Sequence, residues 1–218
     1  MSRRILSTVV FCVFLIVPSL AQTNFNRYNF NVGGGFAIGR GDVDKFTGTS
    51  FNGVAGGGWN FNRFLGVKAE YMYYNLGFND GVKRDQGLQG ADGSLQSLTL
   101  NGVANFRLPG RWGVYGIGGF GIYRRAVSAP STFLAAGTVC QPAWIWWSIK
   151  CDNFGLVSPD QTLSSHTSYA GGYNFGGGLT YRLPVLHHAS VFAEGRYHHS
   201  YTGASETSVF PVTFGLRW

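Results

Sequence analysis

The sequence predicts an all-β chain that closes into one eight-stranded antiparallel transmembrane β-barrel of up-and-down topology. Three observations predict it. Apolar residues alternate with polar or small ones at period two, in segment after segment, which is the pattern of a strand with one apolar face. Of 218 residues 33 are Gly and 16% are aromatic, while only 12% are charged; a soluble domain carries about 25% charged residues. The connections between the alternating segments are by turns short and long. The formal net charge of +7 is scattered along the chain rather than clustered, so no nucleic-acid partner is expected.

The first segment is a signal rather than a strand. Arg3 and Arg4 precede an uncharged apolar run from Ile5 to Val17, and Ser19-Leu20-Ala21 supplies small residues at the −3 and −1 positions of a cleavage site. The run is shorter than the ~20 residues a membrane helix needs. Residues 1–21 are therefore expected to be a cleaved secretory signal peptide, and residues 22–218 one barrel domain. Cys12 lies inside the apolar run and is not read as a lipoprotein cysteine.

The strands follow in order. Tyr28, Phe30, Val32, Phe36 and Ile38 alternate with Asn29, Asn31, Gly33, Gly35 and Ala37. Phe51 to Trp59 is a Gly-rich second strand. Leu65, Val67, Ala69, Tyr71 and Tyr73 alternate with Lys68, Glu70, Met72 and Tyr74; Leu98, Leu100, Gly102, Ala104 and Phe106 alternate with Thr99, Asn101, Val103 and Asn105. Val114 to Tyr123 is apolar on both parities, which leaves its facing open. Tyr169 to Tyr181 and Val191 to His198 alternate again, and Val209 to Trp218 completes eight. In that last strand Phe210, Val212, Phe214, Leu216 and Trp218 take one parity, and Pro211, Thr213, Gly215 and Arg217 the other.

The connections Asn60–Arg63, Leu108–Arg111 and Arg182–His188 are short and hold Asn, Pro or Gly as turn formers. Those at Arg40–Gly48, Leu76–Ser94, Arg124–Ser165 and Ser200–Thr207 are mostly longer. Transmembrane barrels show this asymmetry, with tight periplasmic turns and long extracellular loops. It places both termini on the periplasmic side.

Charge placement agrees with a membrane wall. A Lys or Arg facing lipid at mid-membrane costs about 2–4 kcal/mol. Lys68, Glu70, Glu194, Arg196 and His198 all take the parity opposite the apolar residues of their strands, so they are expected in the lumen. Strands three and seven lie across such a barrel from each other. Glu70 and Arg196 stand at similar depth, so the two are expected to pair across an interior only wide enough for side chains to fill. Such a network is either a static plug or an ion gate.

From these features the chain resembles the small eight-stranded, OmpA-like or porin-family outer-membrane β-barrels. The resemblance rests on the signal peptide, the Gly-rich and aromatic strand rhythm, the stretch Trp59-Asn-Phe-Asn-Arg-Phe64 leading into Gly66-Val-Lys-Ala-Glu-Tyr71, and the ending Pro211-Val-Thr-Phe-Gly-Leu-Arg-Trp218. It implies a place in the bacterial outer membrane, contact with outer-membrane lipid or lipopolysaccharide, and an assembly signal at Phe214, Leu216 and Trp218 read by the barrel-assembly machinery. OmpA-type proteins that anchor to peptidoglycan do so through a periplasmic domain. None is read after Trp218, so that role is not expected.

Three features remain as candidate sites. Cys140 and Cys151 lie in one long loop, without a His at zinc-like spacing, in the oxidising compartment the signal peptide implies; a disulfide is expected and a metal is not. Between them Trp144, Ile145, Trp146 and Trp147 form a candidate contact for a ligand, the outer leaflet or a partner, or else pack on the barrel mouth. His198-His199-Ser200 with Glu206 resembles the His-x-Ser cluster of outer-membrane lipid A deacylases, in which Ser attacks an acyl ester. His198 and Ser200, however, take the lumen parity, away from acyl chains. The expected function is thus a non-enzymatic outer-membrane barrel with a structural or surface-interaction role, without catalytic residues or cofactors. A narrow ion or small-solute channel is the alternative, and a lipid A-modifying hydrolase the third reading.

Overall fold

The structure is a computed structural model that describes residues 26–40, 43, 47–77, 92–129, 138–142, 149–153, 164–184, 189–202 and 205–218. The expected signal peptide, residues 1–21, and the contact stretch Trp144–Trp147 lie outside the described residues. Ten strands follow one another: β1 (Tyr28–Arg40), β2 (Ser50–Asn60), β3 (Leu65–Gly77), β4 (Asp92–Arg107), β5 (Trp112–Ala129), β6 (Thr138–Pro142), β7 (Ile149–Asn153), β8 (Ser164–Arg182), β9 (Ser190–Thr202) and β10 (Ser205–Arg217). Eight of them close into an antiparallel barrel in the order β1-β10-β9-β8-β5-β4-β3-β2. Apart from the excursion through β6 and β7, neighbours in sequence are neighbours in space.

Closure is made by the two terminal strands. β1 pairs with β10 from Asn31↔Arg217 to Arg40↔Ser208. Trp218 extends the ladder by donating its N–H to the Phe30 carbonyl at 2.9 Å, and its own carbonyl accepts from Phe30 at 3.3 Å. A membrane wall has no water to satisfy an open sheet edge, so such a sheet must close on itself.

The short turns are built by residues suited to them. The Asn62 side chain accepts from the backbone N–H groups of Phe64 and Leu65, both at 2.8 Å, and turns the chain between β2 and β3. Gly110, at φ 82°, takes a left-handed conformation between β4 and β5 that other residues adopt with strain.

The outer face is the apolar one. Phe30, Leu98, Leu100, Phe120, Ile122, Phe175, Leu179 and Phe214 stand exposed on it. At the short-turn end aromatic pairs ring this band: Tyr28 meets Trp59 and Trp112 meets Tyr181, each with ring centroids 4.9 Å apart and edge to face. An apolar band flanked by aromatic girdles is the outer surface of a membrane barrel. Among the described residues no helix is long and apolar enough to cross a membrane.

The structure sets the open facing of β5. Val114, Phe120 and Ile122 point outward, whereas Tyr115, Ile117 and Tyr123 point into the lumen. Both parities read as apolar because part of the interior is filled by rings and aliphatic side chains.

The stretch 124–165, read from sequence as one loop, is more ordered than that. β5 and β8 stay paired up to Ala129↔Ser164, and β6 and β7 form a separate antiparallel hairpin between them. Beyond the lipid both faces of a strand meet water, so the alternation that marks a membrane strand fades there. In the hairpin Cys140 is the direct partner of Cys151.

A closed barrel keeps its compact shape in detergent until heated. The unboiled protein should migrate differently from the boiled protein on a detergent gel and show strand-dominated far-UV circular dichroism. Identical migration with a helical spectrum would exclude the barrel.

Candidate functional site

Side chains of the inner face fill the middle of the lumen, and Glu70 is their hub. It stands on β3 and accepts from four donors. Lys68 Nζ lies 2.7 Å from Oε1, and Asn31 Nδ2 donates to the same oxygen at 2.9 Å. Arg196 Nη1 reaches Oε2 from β9 at 2.7 Å, and Asn101 Nδ2 reaches it from β4 at 2.9 Å. The second face of the Arg196 guanidinium binds Glu194 Oε1 at 2.5 Å. Tyr115 donates its hydroxyl to Glu194 Oε2 at 2.8 Å, and Asn174 extends the chain by donating to Asn101 Oδ1 at 2.9 Å. Lys68, Glu70, Glu194 and Arg196 are each 4% exposed or less. Two cations and two carboxylates therefore sit in the interior with a net charge of zero. Isolated ions so placed would be strongly destabilising, whereas paired and hydrogen-bonded ones are tolerated.

Space beside these long side chains comes from glycine on the neighbouring strands. A Cβ at Gly56 of β2 would lie 2.6 Å from Glu70 Cγ and 2.9 Å from Asn31 Oδ1; one at Gly176 of β8 would lie 2.7 Å from Arg196 Cα. The Gly-rich runs thus clear part of the lumen wall for the ions.

Toward the outer end a second tier closes the lumen with rings and aliphatic groups: Met72, Tyr74, Leu76, Leu95 and Tyr123 are all buried. His198 belongs to this tier, and among the described residues it makes no ion pair. It is fully buried, its Nδ1 lies 3.0 Å from the Tyr123 hydroxyl, and the rings of Tyr74 and Tyr123 stand edge to face with it at 5.9 Å each. Of the five lumen residues expected from parity, the four ions meet in one network and His198 stands apart.

The His-x-Ser reading joins different residues from those expected. His198 and Ser200 point inward, as their parity requires, and Ser200 donates to the Thr207 carbonyl at 3.4 Å. It is His199 that faces outward, paired across the ladder with Ser208. Its Nδ1 lies 2.9 Å from Ser208 Oγ, and its Nε2 lies 3.9 Å from Glu206 Oε2. Tyr197 also donates to Ser208 Oγ at 2.9 Å, and the rings of Tyr173 and Tyr201 lie 5.1 and 4.8 Å from His199. Parity contained the signal: His199, Glu206 and Ser208 share the outward face. Ser208 sits inside two ladders, opposite Arg40 on one side and His199 on the other. Among the described residues no group of His, Cys, Asp and Glu could hold a metal ion.

Comparison with known proteins follows the same lines. The family described as outer membrane protein beta-barrel domain matches residues 7–217. Among solved structures, Neisserial surface protein A is similar at 13% identity and a TM-score of 0.55, over 88% of this chain and 96% of that one. A major outer membrane protein from Thermus thermophilus is similar at 12% identity and a TM-score of 0.51, over 88% and 99%. At such identities the likeness is one of fold. No curated protein matches the sequence.

The ion network predicts coupling across the lumen. Glu70→Ala leaves two cations facing one carboxylate, and breaking a buried pair in this way costs about 3–5 kcal/mol. Arg196→Met leaves the opposite imbalance, while the double variant restores a net charge of zero with Lys68 and Glu194. In urea unfolding from lipid vesicles the double variant should be more stable than the sum of the singles by about 1–3 kcal/mol. Strict additivity would mean that the two side chains do not act on each other.

Proposed function

The chain belongs to the outer-membrane protein β-barrel family and lies in the bacterial outer membrane, and we propose that its role there is non-enzymatic: a structural barrel that presents its long outer connections to partners at the cell surface. The observation that carries this reading is the stoppered lumen. The ion layer around Glu70 and Arg196 and the ring tier around Tyr74, Tyr123 and His198 lie one above the other, and both are buried. A barrel filled in this way is suited to hold its ends in place rather than to pass solutes. Ser208 of the outward His199–Ser208–Glu206 row lies within the barrel wall, paired with a strand on each side, which argues against the hydrolase reading. The exposed apolar band serves as the contact with membrane lipid, and Phe214, Leu216 and Trp218 at the end of the chain serve as the signal for the assembly machinery.

Conductance decides between this role and the narrow channel. The purified barrel, added to a planar bilayer, should produce no unitary currents at high salt. Stable current steps in the parent protein, lost or enlarged in Glu70→Ala, would replace the structural reading with a gated channel.

We further propose that the outer hairpin is stapled by a Cys140–Cys151 disulfide, with the tryptophan stretch between the two cysteines as its contact surface. The two cysteines are direct partners in the β6–β7 register, and directly opposed antiparallel residues stand about 4.5–5.5 Å apart at Cα, within the span of a disulfide. A bridge closing so short a loop contributes about 3 kcal/mol or less. Mass spectrometry of a non-reduced digest should recover the two cysteine peptides as one linked species. Recovery of both as free thiols from oxidatively folded protein would count against the staple.

A further inference from the structure

Along the barrel axis the ionisable residues separate by sign. Arg27, Arg63, Arg107, Arg111, Arg182 and Arg217 all stand at the periplasmic, short-turn end. Among the described residues no Asp or Glu stands there. Glu70 and Glu194 are in the stopper, and every other Asp or Glu of the sequence falls in or beside one of the long outer connections. Five of the six arginines, all but Arg27, line one cavity of about 610 Å³ at the periplasmic mouth, together with five asparagines.

Three of the arginines face the inside of that mouth. Arg107, Arg182 and Arg217 take the lumen parity of β4, β8 and β10, in line with Asn105, Thr180 and Thr213, rather than the parity that meets the lipid leaflet. Among the described residues none of the five lining arginines has an ion pair. Arg217 reaches inward, its guanidinium 5.1 Å from the centre of the Tyr115 ring. Its nearest route to a counter-charge is blocked: the Tyr115 hydroxyl is spent on Glu194, and Arg196 holds the other oxygen of that carboxylate. Like charges gathered in one cleft, with no Asp or Glu among its described lining residues, raise the local concentration of anions. The planar guanidinium fork matches phosphate oxygens in pairs. The cavity falls within the range of about 300–1,000 Å³ typical of small-molecule sites.

We propose that the periplasmic mouth is a binding site for a small soluble polyanion bearing phosphate groups, held by Arg107, Arg182 and Arg217 and stopped from going further by the ion layer above. The site needs the barrel and its plug, and it does not depend on the surface role of the outer connections.

The test uses the full barrel in an uncharged detergent at low salt, with tripolyphosphate as the probe in isothermal titration. One-to-one binding that weakens as salt is raised, and that falls at least tenfold in Arg217→Gln while Arg40→Gln at the outer end binds as the parent does, supports the proposal. If Arg217→Gln loses the heat-dependent gel shift of the folded barrel, Arg107→Gln with Arg182→Gln is read in its place and should show the same loss. Absence of binding overturns the proposal, and so does binding that neither variant weakens. A second arm uses nanodiscs with and without phosphatidylglycerol. Retention of that lipid by the parent and not by the variants, with no tripolyphosphate binding, would make the arginines headgroup anchors and likewise overturn the soluble-anion site.

Discussion

A carboxylate in the middle of a membrane-embedded lumen has to be neutralised where it stands, and much of this barrel's interior is arranged around that constraint at Glu70. Four strands supply its donors, from Asn31, Lys68, Asn101 and Arg196. Because the donors come from both sides of the barrel, the contact ties the walls together at one depth. Arg196 carries one charge too many for this purpose only if Glu194 is ignored; with it the layer is neutral. A neutral layer made of four ions resists the loss of any one of them, since each removal leaves an uncompensated charge of one sign or the other.

That layer explains the use of glycine better than flexibility does. Long charged side chains fit into a narrow barrel only where the adjacent wall is bare. Gly56 and Gly176 bare it opposite Glu70 and Arg196. Above the ions Tyr74, Tyr123 and His198 enter the lumen from β3, β5 and β9, and their rings fill the width without charge. The interior is thus graded: arginine and asparagine at the periplasmic mouth, balanced ions in the middle, rings and aliphatic groups toward the outer end.

Much of this was legible in the sequence, because a membrane wall enforces period-two alternation more strictly than a soluble core does. The facing of Lys68, Glu70, Glu194 and Arg196, and the meeting of Glu70 with Arg196, follow from parity and depth alone. What was not legible has physical causes. β5 reads as apolar on both parities because Tyr115, Ile117 and Tyr123 fill the lumen while Val114, Phe120 and Ile122 meet lipid. The β6–β7 hairpin is short, and no apolar alternation marks Thr138–Pro142 or Ile149–Asn153 in the sequence. His198 and His199 are adjacent and chemically identical, and only their opposite facing separates a ring in the lumen from one on the outer face; the pairing of His199 with Ser208 needed the cross-strand register. The periplasmic arginines are scattered over the sequence from Arg63 to Arg217, and they become one cluster only when the strand ends are brought to one rim.

The division of sign between the two ends bears on what such a barrel can do. An ion layer that is neutral overall leaves the arginine mouth positive, because its carboxylates are already committed to Lys68 and Arg196. Arg217 extends from the mouth toward the layer, and it rests on the face of Tyr115 rather than on a carboxylate. A ring face offers a guanidinium about 0.5–2 kcal/mol, depending on how far it is desolvated, less than a buried, hydrogen-bonded carboxylate partner would provide. The fold therefore leaves a cation under-compensated at the floor of an open cavity while it neutralises every ion in the closed layer above it. Neutralising the interior serves the stability of the barrel. Leaving the mouth positive does not, and that asymmetry is what marks the mouth, rather than the plug, as the place where this lumen meets something other than itself.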